Sequence, residues 1–339
     1  MKRKRYMRIG VIALVLLVVA AGVYKARYLI ADVWVVCTSP PDTAGGWVKY
    51  SGNPVLGQPL GTCFDPTLLK EDGRYRMYFS WKRAKGIGLV ESEDGIHWSD
   101  PVLALSGEPR HAWEERVNRQ IVIKKGGVYH MWYTGQSWTN SAIGYATSRD
   151  GRTFTRMSDK PVLKAEAPWE GVAMMCPHVI WDDGQKVFRM WFSAGGQVEP
   201  DAIGYATSPD GLNWTRYGGN PIFVKGPAGS WECDKVTGCQ IVVKDGWHYM
   251  FYIGFSELLH SGIGLARSRD GIHNWERHWA NPIISPGLTH DSFDNEAAYK
   301  PYALCEDQGW RLWYNGRTGW LEQIGVASLR KADLGFDRR

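Results

Sequence analysis

A segment of about 55–60 residues recurs four times along the chain and a fifth time in degraded form, and a fixed internal period constrains the fold more than any local pattern. Each of the four full copies runs through an apolar stretch, a tight Gly turn, an aromatic-rich strand, a strand built on Ile-Gly and a Ser-x-Asp-Gly turn. The copies open LLKEDGRYRMYFS, IVIKKGGVYHMWYTG, VIWDDGQKVFRMWFSAG and IVVKDGWHYMFYIG, and the degraded one YALCEDQGWRLWYNG. Four short strands with turn signals between them make one blade of a β-propeller. The expected fold is all-β, a five-bladed propeller.

Units one to four end on an outer strand of shared character: HWSDPVL, FTRMSDKPVL, NWTRYGGNPIF and NWERHWANPII. The fifth lacks one, and the missing piece stands before the first unit, at residues 47–56 (WVKYSGNPVL). Pairing that segment into the last blade closes the ring and hides two strand edges that would otherwise invite aggregation.

The extreme N-terminus reads differently. Lys2, Arg3, Lys4, Arg5 and Arg8 precede an uncharged, apolar stretch over residues 9–24, followed by Lys25 and Arg27. Basic residues ahead of an apolar segment orient it with its N-terminus in the cytoplasm. The stretch is slightly short of the ~20 residues of a comfortable span. A cleaved signal and an uncleaved anchor both fit; without an Ala-x-Ala site at the usual distance, the anchor is the expectation. The chain then divides into a leader and anchor (1–32), a short linker (33–46) and one propeller domain (47–339). That domain is expected outside the cytoplasm, periplasmic or extracellular, membrane-tethered and monomeric.

Charge follows the same division. Residues 1–27 hold seven of the 40 basic side chains and none of the 35 acidic ones, so the rest of the chain is close to neutral. A near-neutral domain has no electrostatic footprint for nucleic acid. An uncharged ligand such as a sugar fits better. Export permits disulfides among the six cysteines, and a Cys63–Cys305 bridge would latch first and last blades. Connectivity cannot be deduced from sequence. No Cys/His spacing matches a zinc site, and no metal or cofactor is expected.

In a propeller the loops leading into the innermost strands form one face of the central channel. Aligned on the Gly turns, the opening triplets are Phe64-Asp65-Pro66, Asn118-Arg119-Gln120, Cys176-Pro177-His178, Gly238-Cys239-Gln240 and Tyr299-Lys300-Pro301. In this alignment Arg119, Cys176, Cys239 and Lys300 match Asp65, the one acid of the ring. A repeat that keeps its scaffold and varies one ring of positions is using that ring, and charges converging on a channel are costly without a ligand or mutual pairing. The four Ser-x-Asp-Gly turns (Asp94, Asp150, Asp210, Asp270) resemble the Asp box of sialidases but lack its residue between Asp and Gly. They read as turn chemistry.

Asp65-Pro66 opening the first inner strand, ahead of Gly-Arg-Tyr-Arg-Met-Tyr and within five repeats, resembles the five-bladed glycoside hydrolases of families 43 and 32 over roughly residues 45–330. The resemblance implies that Asp65 is general base or nucleophile. It also implies a second-blade Asp and a third-blade Glu as acid, but Arg119 stands where the Asp belongs and no Glu is in register in Met174-Met175-Cys176-Pro177-His178. Glycosidic cleavage normally needs two carboxyl groups. Replacement acids are sought in the preceding loops: Glu170, Asp234 and Glu296 foremost, with Glu114, Glu115, Glu232 and Asp294 behind them. The recurrence of Trp113-Glu114, Trp169-Glu170, Trp231-Glu232 and Phe293-Asp294 favours a structural role for that pair. Arg119, His178 and Lys300 are the expected substrate-binding polar groups. Trp81, Trp138 and Trp320, which stand outside the repeat among 18 tryptophans, are the expected sugar platforms. An exported furanosidase-type glycosidase is the leading reading, beside a carbohydrate-binding propeller without its acid and a protein-interaction scaffold.

Overall fold

The computed structural model describes residues 41–257 and 260–337. The leader, the apolar stretch and Cys37 lie outside the described residues. Among the described residues no helix is long and apolar enough to cross a membrane.

The first strand, β1 (Val48–Lys49), stands apart from the four that follow: β2 (Cys63–Glu71), β3 (Arg74–Trp81), β4 (Gly86–Ser92) and β5 (Val102–Ser106). The second unit holds β6 (Arg116–Lys125), β7 (Val128–Gln136), β8 (Ser141–Ser148) and β9 (Thr155–Arg156). The third holds β10 (Ala173–Asp182), β11 (Val187–Gly195), β12 (Ala202–Ser208) and β13 (Thr215–Arg216). The fourth holds β14 (Lys235–Lys244), β15 (Trp247–Glu257), β16 (His260–Ser268) and β17 (Glu276–Arg277). The last contains β18 (Ala297–Glu306), β19 (Gly309–Thr318) and β20 (Leu321–Leu329). Each is an antiparallel meander, and β1 supplies the fourth strand of the last unit by pairing with β20, Val48 opposite Ser328. The protein is all-β and propeller-like.

The closing segment repeats the chemistry of the outer strands it replaces. Asn53 accepts the Val326 N–H (2.8 Å) and donates to its carbonyl (3.0 Å), as Asn220 does at Tyr205 and Asn281 at Leu265. Leu56 bridges to Ile324, carrying the pairing to the end of the segment.

The Ser-x-Asp-Gly turns explain how neighbouring units lock together. Asp94 Oδ1 accepts the N–H groups of Ile96 and His97, each at 2.8 Å, and the same bonds recur at Asp150, Asp210 and Asp270. This frees the turn's glycine carbonyl, which accepts a donor from the preceding unit: Tyr78 to Gly151, Trp132 to Gly211, Trp191 to Gly271. Trp313 of the last unit does the same to Gly95 of the first (3.0 Å), so the latch passes around the ring. Phe251 occupies the position in the fourth unit and has no donor to give. These aromatic rings are fully buried, and their burial is the main stabilising term.

The five described cysteines are free. The expected Cys63–Cys305 latch is absent for a geometric reason. Cys63 opens β2 while Cys305 sits near the far end of β18, placing them toward opposite faces.

Candidate active site

Every inner strand carries one extra residue at the same place. Strand pairing slips between Phe64 and Thr67, Asn118 and Ile121, Met175 and His178, Thr237 and Cys239, and Tyr299 and Tyr302. The residue inside each bulge is left-handed: Asp65 (φ 56°), Arg119 (51°), Cys176 (53°), Gly238 (42°) and Lys300 (52°). Four are not glycine, so each holds strain of about 1 kcal/mol or more, a cost typical of functional sites. A bulge re-aims its side chain, and here the aim is the channel. The ring position in the fourth unit is therefore Gly238 rather than the expected Cys239. A Cβ on Gly238 would lie 2.7 Å from Ile253 Cδ1 and 3.2 Å from Lys300 Nζ, so the missing side chain is what lets Lys300 reach inward.

The bulges are held from the neighbouring unit. The N–H of Asp65 donates to Asn315 Oδ1 (2.9 Å), that of Arg119 to Ser80 Oγ (3.0 Å), that of Cys176 to Thr134 Oγ1 (3.1 Å) and that of Gly238 to Ser193 Oγ (2.8 Å). The four acceptors occupy one repeat position on the second strands. The fourth unit has Ile253 there, which cannot accept.

The bulge residues line a central cavity of about 50 Å³, room for a few waters but not a sugar ring. Substrate must therefore sit above it. Asp65 is buried; its Oδ2 accepts Ser80 Oγ–H (2.7 Å) and the Arg119 N–H (3.2 Å), while its Oδ1 is buried without a partner. The guanidinium of Arg119 reaches Glu199 Oε1 (3.3 Å). Lys300 Nζ lies 3.0 Å from Cys176 Sγ and 3.7 Å from Glu199 Oε2.

Glu199, in the turn between β11 and β12, is thus the counter-charge for two buried cations. Burial pushes its carboxyl up, but Lys300 and Arg119 outweigh this and hold it below the usual carboxylate range. Burial also opposes the charge on Lys300, which Cys176 and Glu199 favour, leaving the ammonium stabilised. Cys176 is itself pushed up by burial, against Lys300 and Arg119. It stays a thiol, so Glu199 is the partner that counts.

A groove of about 220 Å³ opens beside Asp65, with Ser80 and Arg119 in its wall together with Glu322 of β20. The Tyr299 hydroxyl is bonded to Glu322 Oε1. Burial and the Asp65 charge raise the Glu322 carboxyl above its ordinary range, against the Tyr299 hydrogen bond. Two acids of opposite tendency therefore share the channel mouth: Glu199 held below the usual carboxylate range and Glu322 raised above it. Such divergence marks acid–base sites.

The sequence-named residues divide between this site and other places. Asp65, Arg119 and Lys300 line one cavity. His178 lines it two residues past the bulge, buried and donating from Nε2 to the Ile241 carbonyl (3.1 Å); burial pushes its imidazole down to about 4. Glu170 lies elsewhere, bound to Arg216 (2.8 Å) and to the N–H groups of Glu166 and Ala167. Glu114 holds Arg156, Glu232 holds Arg277 and Asp294 holds Lys49 in the same manner. The repeated aromatic–acid pair thus ties a cation on four of the outer strands, β9, β13, β17 and β1. Asp234 is half-buried and Glu296 exposed, 3.6 Å from Lys235 and 3.7 Å from Arg317, and they line neither cavity nor groove. Trp81 forms part of the groove wall. Trp138 (81% exposed) and Trp320 (92%) are the barest of the large apolar side chains described.

Comparison with known proteins agrees with this architecture. In a curated phosphorylase of Thermoanaerobacter sp. (strain X514), "1,2-beta-oligomannan phosphorylase", 134 residues are 35% identical, covering 36% of this chain and 43% of that protein. The "A type blood N-acetyl-alpha-D-galactosamine deacetylase" of Flavonifractor plautii is 24% identical over 306 residues, 79% of this chain and 34% of the relative. This chain spans less than half the length of either. A solved structure described as a glycoside hydrolase superposes with a TM-score of 0.68 at 19% identity, covering 85% of this chain and 92% of that one, a likeness of fold. The family model for the glycosyl hydrolases family 32 N-terminal domain matches residues 72–260, more than half of the chain. The chain belongs to the glycosyl hydrolases family 32 N-terminal domain family.

Proposed function

We propose that this chain is an exported, membrane-tethered, monomeric five-bladed propeller that cleaves a furanosyl or related glycan of the cell envelope. The observation that carries the reading is Asp65, held in a strained bulge at the channel mouth with one carboxylate oxygen unpartnered. A buried acceptor without a donor costs about 1–3 kcal/mol, a cost relieved when substrate or water arrives.

Asp65 Oδ1 attacks the anomeric carbon or takes the proton of an attacking water. Glu322 gives its proton to the leaving oxygen as the glycosidic C–O bond breaks. Arg119, Lys300 and Glu199 hold the mouth's charge in balance, and Trp81 offers an apolar face to the sugar. The basic leader supports export with the N-terminus inside.

The test is leaving-group dependence. Glu322→Gln should lose at least about 100-fold on glycans and unactivated glycosides while keeping most activity on dinitrophenyl glycosides, whose leaving group needs no proton. Equal losses on both would remove Glu322 from the acid role. A second reading, phosphorolysis, draws on Arg119, whose Nε is buried without a partner, and on the phosphorylase among the relatives. Glycosyl phosphate appearing only with inorganic phosphate would favour it over hydrolysis. Glycan binding without any cleavage would favour a binding propeller.

A further inference from the structure

We propose that the groove beside Asp65 binds a negatively charged sugar unit, so that the substrate of the site just described is an acidic glycan. This rests on the glycan-cleaving reading and deepens it. The groove is walled by Lys82, Lys85, Arg116 and Arg119, with Glu322 the one acid among its lining residues. Some exposed cations elsewhere are paired, such as Arg110 with Glu108 and Lys124 with Glu71, while others, such as Arg149, Lys164 and Lys225, have no carboxylate in ion-pair contact among the described residues; what sets the groove apart is that its cations stand together. Among the described residues no carboxylate is in ion-pair contact with Lys82, Lys85 or Arg116, and Arg119 alone of the four has one, in Glu199.

Cations crowded without counter-charge repel one another, and an anionic ligand relieves that repulsion. The near-neutral balance of residues 28–339 makes the concentration local rather than a property of the whole surface. Glu322 is the one acid in the lining, and its Oε1 is already engaged by the Tyr299 hydroxyl. Of the other acids near the channel, Glu199 and Asp201 belong to the third unit, while Asp65, buried beside the groove, is the site's own carboxylate. A glycan is thus offered a basic side over units one and two, opening directly onto Asp65 through Ser80.

One cation is also pre-set. The Arg116 guanidinium lies 5.2 Å over the ring of Trp138, which presents its other surface to solvent. An aromatic face beside a fixed guanidinium suits a pyranose or furanose ring bearing a carboxylate or a phosphate. Both anions satisfy the geometry, so the test carries one arm for each.

Binding by calorimetry to the Asp65→Asn protein, which prevents turnover, would use a hexuronate trisaccharide, a phosphorylated hexose trisaccharide and the matching neutral trisaccharide. The expected result is at least about 10-fold tighter binding of one anionic probe than of the neutral one, weakening as salt rises. The arm that wins identifies carboxylate or phosphate. A Lys82→Gln/Lys85→Gln/Arg116→Gln variant should lose most of that preference with little change in melting temperature, since all three side chains are exposed. Equal binding of neutral and anionic probes, no binding of any probe, or a preference that survives the triple variant would overturn the proposal. Anion-selective binding by a wild type that cleaves nothing would instead overturn the enzymatic reading and leave the groove assignment standing.

Discussion

Glu199→Gln removes the counter-charge of two buried cations while keeping shape. Arg119 and Lys300 are 10% and 7% exposed at the side chain and lie 3.3 and 3.7 Å from the two carboxylate oxygens. Breaking a buried ion pair from one side typically costs about 3–5 kcal/mol, because the remaining charge is left uncompensated. Glu199 is 14% exposed and water can reach part of it, so the expected loss is about 3 kcal/mol. For a domain of this size that corresponds to a fall in melting temperature of about 6–9 °C. Lys300→Met should cost less, since Glu199 keeps Arg119. The double variant should lose about 1–3 kcal/mol less than the sum of the singles, because the second change removes one of the two stranded cations. Thermal and urea melts of the four proteins measure this cycle. An unchanged melting temperature for Glu199→Gln, or strict additivity, would refute the assignment of Glu199 as counter-ion.

Two further outcomes follow from the same packing. Glu170→Gln should destabilise by about 1–3 kcal/mol through the loss of Arg216, yet leave turnover per folded molecule unchanged, as melting curves beside activity would show. His178 titrates near 6.5 when unfolded and near 4 when folded. Between those values the unfolded chain binds the extra proton, so its contribution is fully present above about pH 6.5 and falls as pH drops toward 4. Urea melts at pH 7 and 4.5 should differ by about 2–3 kcal/mol less in His178→Gln than in wild type.

Much of this fold is legible in the chain because each repeated element has a local cause. Asp94 and its three counterparts bond their own turn, so the motif reads as structure from spacing alone. The WVKYSGNPVL segment carries the same Asn that clamps the other outer strands, so closure is readable before any coordinate. The pairing of Trp or Phe with an acid also recurs because it holds an outer-strand cation. Site geometry is less legible. An apolar run does not reveal a bulge, so alignment on the Gly turns puts Cys239 where Gly238 stands; the signal is Gly itself, at a position where a Cβ would strike Ile253. Glu199 stands in a turn between second and third strands, outside the repeated register. Glu322 is legible by the same pattern as Asp65. Counting back two residues from each Ile-Gly gives Lys85, Ser141, Asp201, Ser261 and Glu322, a second variable ring on an unchanged scaffold.

The central claim, that Asp65 performs chemistry rather than buttressing the first unit, is tested most directly by turnover per folded molecule in Asp65→Asn. Asn keeps an oxygen to accept from Ser80 and the Arg119 N–H, so the melting temperature should stay within about 3 °C of wild type, the effect of roughly 1 kcal/mol. Turnover on aryl furanosides, aryl pyranosides or the acidic glycan should fall by at least about 100-fold, the loss expected when a positioned base or nucleophile is removed. A variant that melts well below wild type but turns over at the wild-type rate per folded molecule would contradict the account.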